Sequence, residues 1–353
     1  LYQKVWQVLN FHLTLQNAFT YQEVIMETLL LSLKDVRQAL SMKEVISAIE
    51  EGYIAYYREK VQQPDIVSIE IPRNNGETDI KSCYNELNEI ISVKVASGFY
   101  NNGKINHLPS MIGTILLYGG RTGAPLCIMD GSLITGIRTG AAGAISSKLL
   151  ARKDSKTVAV FGAGGQARMQ IYALCEVMNI EEVRVYSNNK EELPKYKQDI
   201  EENTKVKVIL CDTVEKAMEG ADIAISTTPS KKYYIDKSCV RTGMHIVAVG
   251  ADMPGKNEWE PEVFRGAKIV NDSIAQCISR GETRNAIIAG VIKESDIYGE
   301  IGQLLAGEKP LRENDDEITI FDTTGMGIQD NVTAVMVYEL AKRKGLGEYF
   351  EFI

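Results

Sequence analysis

Residues 157–174 read TVAVFGAGGQARMQIYAL, and this stretch decides the fold. A strand-like run, Thr157 to Phe161, passes directly into Gly162-Ala163-Gly164-Gly165-Gln166-Ala167, and a helical pattern begins at once. The spacing is G-x-G-x-x-A. The first glycine allows a tight turn, the second lets the backbone approach a pyrophosphate, and the small alanine lets helix pack on strand. The free N–H groups of the helix start then face the phosphates. We read Gly162, Gly164, Gly165, Gln166 and Ala167 as the phosphate-binding part of a dinucleotide site.

The pattern around this loop is a strand–helix alternation. EEVRVY (181–186), KVKVIL (205–210), ADIAIST (221–227) and HIVAV (245–249) are further apolar strands, and most are separated by helix-length segments. Such alternation predicts a parallel sheet covered by helices on both faces. EITIFDTT (317–324) adds one more strand, and a helix is predicted from about Asp330 to Arg343. Upstream, SMKEVISAIEEGYIAYYREK (41–60) opens with the capping-box pair Ser41 and Glu44. It is followed by short strands at DIVSIEI (65–71), ISVKVAS (91–97), GTILLY (113–118) and PLCIMD (125–130), then by the small-residue helix RTGAAGAISSKLLA (138–151). The fold class is therefore α/β: a Rossmann-type parallel-sheet domain over 151–321, and an α+β domain over 26–150 that the C-terminal segment 322–353 rejoins.

The strand after the loop, in VRVYSNNKEE (183–192), ends without the Asp or Glu that bonds a ribose 2′-hydroxyl in NAD sites. Ser187, Asn188, Asn189 and Lys190 stand there instead. These groups tolerate a 2′-phosphate, so the cofactor is NAD or NADP with NADP favoured.

Composition narrows the function classes. The 353 residues carry a net charge of −8 with no basic block, which argues against nucleic-acid binding. No apolar run reaches the roughly 18 residues of a membrane span. The six cysteines show no metal-ligand spacing, and no metal site is predicted. Free thiols of this kind fit a reducing, cytoplasmic setting. METLLLSLKDV (26–36) looks like the natural start of a domain, so residues 1–25 are expected to be an upstream extension.

Three polar residues interrupt apolar surroundings. Lys94 lies inside ISVKVAS, where an ammonium is costly unless something anionic meets it. Arg138, followed by Thr139, lies in LITGIRTGAAG (133–143), and a guanidinium is well shaped to grip a carboxylate. Asp252 follows the strand HIVAV in GADMPGKNEW (250–259). Ligands of open parallel sheets bind beyond the carboxyl ends of the strands, which puts Asp252 on the reactive edge.

These stretches together resemble the ornithine cyclodeaminase/mu-crystallin family. SVKVASGFYNN, LITGIRTGAAGA, VAVFGAGGQARMQ, VAVGADMPGKNEW and IFDTTGMGIQD match it in order and spacing from Met26 to the C-terminus. The resemblance implies a homodimer whose 26–150 and 322–353 segments form the substrate and dimerisation domain. It implies that Lys94 and Arg138 bind a substrate α-carboxylate and that Asp252 is the catalytic acid/base. It also places Thr139 and Gly325 with the cofactor. Two departures stand out. Asp65 replaces an Arg that relatives use as a carboxylate ligand, and Lys81 replaces a Glu. Lys81 is expected to take over the missing cation's role. The implied activity is an NAD(P)-dependent reaction at the Cα–N bond of an amino acid: imine formation, then cyclisation with ammonia loss or hydrolysis. Reduction of a cyclic imine is the alternative, and a non-catalytic cofactor-binding protein is the rival from another class.

Overall fold

The computed structural model describes residues 27–352; the expected extension 1–25 and the start at Met26 lie outside them. The chain builds two sheets. The first holds β1 (Glu27–Leu31), β2 (Val61–Gln62), β3 (Val67–Ile71), β4 (Gly76–Asn85), β5 (Ile90–Phe99), β6 (Met111–Gly119), β7 (Pro125–Asp130) and the C-terminal β16 (Glu348–Glu351). Its order is β16-β1-β7-β6-β5-β4-β2, with β3 also on β4. Only the β1–β7 pair is parallel; the other pairs run antiparallel.

The second sheet holds β8 (Thr157–Phe161), β9 (Glu182–Tyr186), β10 (Lys207–Leu210), β11 (Ile223–Ser226), β12 (His245–Ala248), β13 (Lys268–Asn271), β14 (Ile297–Glu300) and β15 (Thr319–Asp322). It is parallel throughout, in the order β10-β9-β8-β11-β12-β15-β13-β14. Chain direction across the sheet reverses at β8, whose neighbours are β9 and β11. This is the switch point at which doubly wound sheets open a ligand crevice, and the glycine loop sits on it. The fully buried Val158, Val160, Val183, Val185, Val247 and Phe321 form the layer beneath the helices.

Two helices begin earlier than expected. The small-residue helix starts at Ser132 rather than Arg138, because Asp130 Oδ1 accepts the Leu133 N–H at 3.0 Å and starts the helix through the β-branched LITGI stretch. Arg138 therefore projects from mid-helix. The small residues let this helix pack against Gly165–Val177: a Cβ on Gly140 would meet the Met169 backbone, and one on Gly143 would meet Gln170. The last helix begins at Gly327 and runs to Lys344. It leaves β15 and packs on β4 and β5 of the first sheet, so one chain segment joins the two halves at the point where the polar residues gather.

Candidate active site

The dinucleotide loop has the geometry its sequence demands. Gly162 adopts φ +102°, and a Cβ there would strike Thr227 Oγ1. Around Gly164 and Gly165 the space is open, so both present bare backbone. Ala167 is fully buried against the sheet. Arg168 braces the loop from behind, with Nη1 donating to Gly164 O at 3.1 Å and Nε to Asp199 Oδ2 at 2.8 Å. Gln166 Oε1 is buried without a partner among the described residues. Open glycines on a switch-point crevice and a helix start behind them fit a dinucleotide phosphate.

A cleft of about 470 Å³ opens beside this loop, walled by Gly162–Gly164, Tyr186–Asn189, Glu192, Thr227–Ser230 and Tyr234. At its ribose end Ser187 Oγ accepts the Asn189 N–H at 3.1 Å, and Tyr186 donates to Asn188 Oδ1 at 2.8 Å. Lys190 lies over the Tyr186 ring, 4.7 Å from its centroid, and not on the cleft wall. Glu192 is a wall carboxylate that strand-end reasoning does not reveal.

The cations occupy the facing half. Lys94 is in the middle of the first sheet, between β4 and β6, and is 1% exposed; it does not snorkel from an edge. Lys81 on β4 is its direct cross-strand partner and is buried too. Lys81 Nζ donates to Thr324 O at 3.0 Å and Gly325 O at 2.9 Å. Arg138 reaches the same place from its helix. Asp330, in the first turn of the last helix, ties the group together. Lys94 Nζ lies 2.7 Å from each of its oxygens, and Arg138 Nε donates to Oδ1 at 3.1 Å. Arg138 Nη1 donates to Gln329 Oε1 at 2.9 Å, and Nη2 is left without a hydrogen bond among the described residues.

Three buried cations against one buried carboxylate leave an excess of positive charge. Burial, with Arg138 and Lys81 alongside, pushes the Lys94 ammonium down to about 7 despite Asp330. Burial and Arg138 lower Lys81 as well. For Asp330, burial acts upward, but Lys94 and Arg138 outweigh it and hold the carboxyl below its usual value. Such a cluster is completed by an incoming anion.

Asp252 stands on a loop built to hold it. Glu258 accepts the N–H groups of Thr228 (2.7 Å) and Gly250 (3.1 Å) and the Tyr234 hydroxyl (2.9 Å), joining the ends of β11 and β12. Trp259 is fully buried, with Nε1 on Ser226 Oγ at 2.8 Å. After Pro254, Gly255 takes φ +89°, and Lys256 turns back so that Nζ meets Asp252 Oδ1 at 2.7 Å. The Asp252 side chain is 46% exposed. What burial it has acts upward on its pKa, but Lys256, Lys81 and Arg280 prevail and keep it ionised below the usual carboxylate range. Lys81 and Asp252, from different halves, thus share one electrostatic site.

Gly325 lies beneath the cations at φ +78°, and a Cβ would collide with the Arg138 guanidinium. Asp272, at the end of β13, fixes this loop: Oδ2 accepts the Thr323 hydroxyl (2.6 Å) and the N–H groups of Thr324 (3.1 Å) and Gly325 (2.8 Å). Thr139 is placed differently from the other expected residues. Its hydroxyl donates to Thr135 O in its own helix at 2.8 Å, while its carbonyl accepts Gln170 Nε2 at 2.9 Å. The structure thus gathers Lys81, Lys94, Arg138 and Gly325, sets Asp252 across from them, and lines the crevice with the glycine loop and Ser187–Asn189. Sequence reasoning missed Asp330 and Asp272. Asp330 lies inside a quoted motif, and the demand for a buried counter-charge was the available signal.

A model of the ornithine cyclodeaminase/mu-crystallin family matches residues 26–345. The alanine dehydrogenase of Archaeoglobus fulgidus is 37% identical over 329 residues, covering 93% of this chain and 99% of the relative. The solved structure of Thermococcus litoralis Delta(1)-pyrroline-2-carboxylate reductase, in complex with NADH and L-proline, aligns with a TM-score of 0.88 at 37% identity, covering 91% of this chain and 99% of that one. An archaeal alanine dehydrogenase dimer with bound NAD aligns at 0.87 and 36% identity, covering 93% and 100%.

Proposed function

The chain belongs to the ornithine cyclodeaminase/mu-crystallin family, and from that premise we propose an NAD(P)-dependent enzyme acting at the Cα–N bond of a small amino or imino acid. The observation that carries this reading is the buried Lys81–Lys94–Arg138 cluster with its excess positive charge, set against the ionised Asp252 beside a dinucleotide crevice. Lys94, Lys81 and Arg138 hold the α-carboxylate. A nicotinamide held in the crevice would supply or accept the hydride at Cα. Asp252 takes a proton from the nitrogen or from an attacking water, and Lys256 keeps it ionised until it does so. A protein that merely stored cofactor would have no use for three buried cations facing a poised carboxylate.

In this reading 151–321 is the cofactor half, and 26–150 with 322–353 is the substrate and dimerisation half. The first sheet exposes Val67, Ile69, Met111 and Ile112, apolar surface of the kind a second copy covers. Among the described residues no helix is long and apolar enough to cross a membrane, and the six cysteines are free, which fits the cytoplasm.

NADP(H) is our preferred cofactor, because hydroxyl and amide groups stand at the end of β9. Glu192 is the opposing influence, and two of the relatives above are described with NADH or NAD. A substrate panel tests the whole assignment. The protein is incubated with NAD⁺ or NADP⁺ and the common amino acids, and in reverse with reduced cofactor and cyclic imines. Reduced cofactor and ammonia are followed separately. We expect turnover with at least one amino or imino acid, and NADPH binding no weaker than NADH. Ammonia without net reduced cofactor identifies a cyclodeaminase; both together identify a dehydrogenase. Silence across the panel contradicts the assignment, and tenfold tighter NADH contradicts the cofactor preference.

A further inference from the structure

Arg280 closes the Ile274–Arg280 helix of the second half, and its guanidinium reaches two places at once. Nε donates to the main-chain oxygen of Asp252 at 2.9 Å. Nη2 lies 3.2 Å from Asp79 Oδ2 on β4 and 3.4 Å from Ser68 Oγ. Asp79 is itself oriented, because its Oδ1 accepts the hydroxyl of Ser68, its register partner on β3, at 2.5 Å. Side chains alternate along a strand, so Glu77, Asp79 and Lys81 share one face of β4, and Lys81 is paired with Lys94. One side chain therefore runs from the backbone of Asp252 to a residue two positions from the substrate cations.

Lys256 makes a parallel link through the side chain, with Nζ 2.7 Å from Asp252 Oδ1 and 3.7 Å from Glu77 Oε1. Tyr100 also donates to Glu77 Oε1, at 2.7 Å. Asp252 is thus held at both carboxylate and carbonyl by cations whose other partners are acids on β4. Isolated surface ion pairs contribute only up to about 1 kcal/mol to stability. Placement matters far more here: a displacement of about 1 Å of a reacting group costs on the order of 100-fold in rate. The loop Asp252–Gly255 belongs to no helix or strand, so its position depends on such ties.

We propose that Arg280 is a positioning residue: by bridging the Asp252 carbonyl and Asp79, it sets the separation between the proton-transfer carboxylate and the Lys81–Lys94 pair. The proposal rests on the acid/base reading of Asp252. Neither residue was singled out by sequence, because the bridge joins positions about 200 apart in the chain.

The test uses Arg280→Gln and Asp79→Asn in the full-length protein, singly, together, and each combined with Asp252→Asn. Arg280→Gln is expected to lower kcat by roughly 10- to 100-fold, with substrate KM changed far less and cofactor Kd unchanged. Asp79→Asn should show a loss of the same kind, and the two together should be little worse than Arg280→Gln alone. In the Asp252→Asn background Arg280→Gln should cost nothing further, since it acts only through Asp252. The groups facing Asp252 are Lys256, Lys81 and Arg280, with Glu77, Asp79 and Tyr100 behind them. Removing one of the cations should move the acidic limb of kcat/KM upward in pH, a readout that a purely structural role leaves in place. Arg280→Lys, which keeps the charge, covers the case in which the Gln variant fails to fold; it should leave the acidic limb nearer its original pH while kcat still falls. An unchanged kcat in the folded variants, or an undiminished loss in the Asp252→Asn background, overturns the proposal. Full turnover by Asp252→Asn alone overturns the acid/base reading and the proposal with it; slow Asp252→Asn with normal Arg280 variants overturns only the proposal.

Discussion

Asp330→Asn is expected to weaken both the fold and the grip on substrate. The carboxylate is 1% exposed and contacts Lys94 and Arg138 directly. Removing one member of a buried ion cluster leaves the others uncompensated, at a cost of about 3 kcal/mol or more. Asp330 is also what raises Lys94 against burial and its cationic neighbours, to about 7. Without that charge Lys94 falls further and is neutral at pH 7, so substrate KM should rise at least tenfold. The sign with pH follows. A Lys94 whose folded pKa lies below its unfolded value of 10.5 binds fewer protons folded than unfolded, so its share of stability rises with pH across that interval. Wild type and variant alike should therefore gain stability through this group between pH 7 and 10, so the deficit of the variant persists across that window. Denaturant midpoints and initial-rate KM values measure both effects. An unchanged midpoint and KM would mean that the cluster is not the anchor described here.

Asp252→Asn is expected to lose catalysis with little else. An amide at this place cannot take a proton, and positioned acid/base groups contribute roughly 10²- to 10⁴-fold. The loop should survive, because Glu258 and Arg280 hold its backbone and not its carboxylate. Cofactor Kd should be unchanged and substrate KM nearly so, since Lys81, Lys94 and Arg138 are intact. The ionised resting state of Asp252 means that it enters the reaction as a base, so amine oxidation at neutral pH should suffer the full loss. Turnover within threefold of the wild type would remove Asp252 from the mechanism.

The parts of this site that sequence made legible are those whose physics is local. A turn at φ +102°, bare backbone at the phosphates and a helix packed on a strand each demand a small residue at a fixed offset, and Gly162, Gly164 and Ala167 stand at those offsets. The strand–helix alternation located β8 to β12 and β15, and with them the edge that carries Asp252. Lys94 was conspicuous because an ammonium inside an apolar strand needs a reason. The partners of these residues were not legible, because partnership is long-range. Asp330 meets Lys94 across 236 positions of chain, and at a helix start its charge would equally serve the helix dipole. Asp272 follows β13, a strand that, like its neighbour β14, the strand–helix alternation did not mark. Strand β4 alternates Glu77, Asp79 and Lys81 on one face, which reads as a solvated edge until the second half of the molecule is brought against it.

In the proposed reading the cation cluster presents a substrate Cα for hydride transfer. The most direct measurement supplies reduced cofactor carrying deuterium at both C4 positions of the nicotinamide, together with a cyclic or open-chain imino acid from the panel. Mass spectrometry then locates the label in the amino acid formed. The expected result is one deuterium at Cα, with the labelled amino acid formed far more slowly by Asp252→Asn and requiring a higher imino-acid concentration in Asp330→Asn. Amino acid formed without label at Cα, or no amino acid from any of these imino acids, contradicts the account.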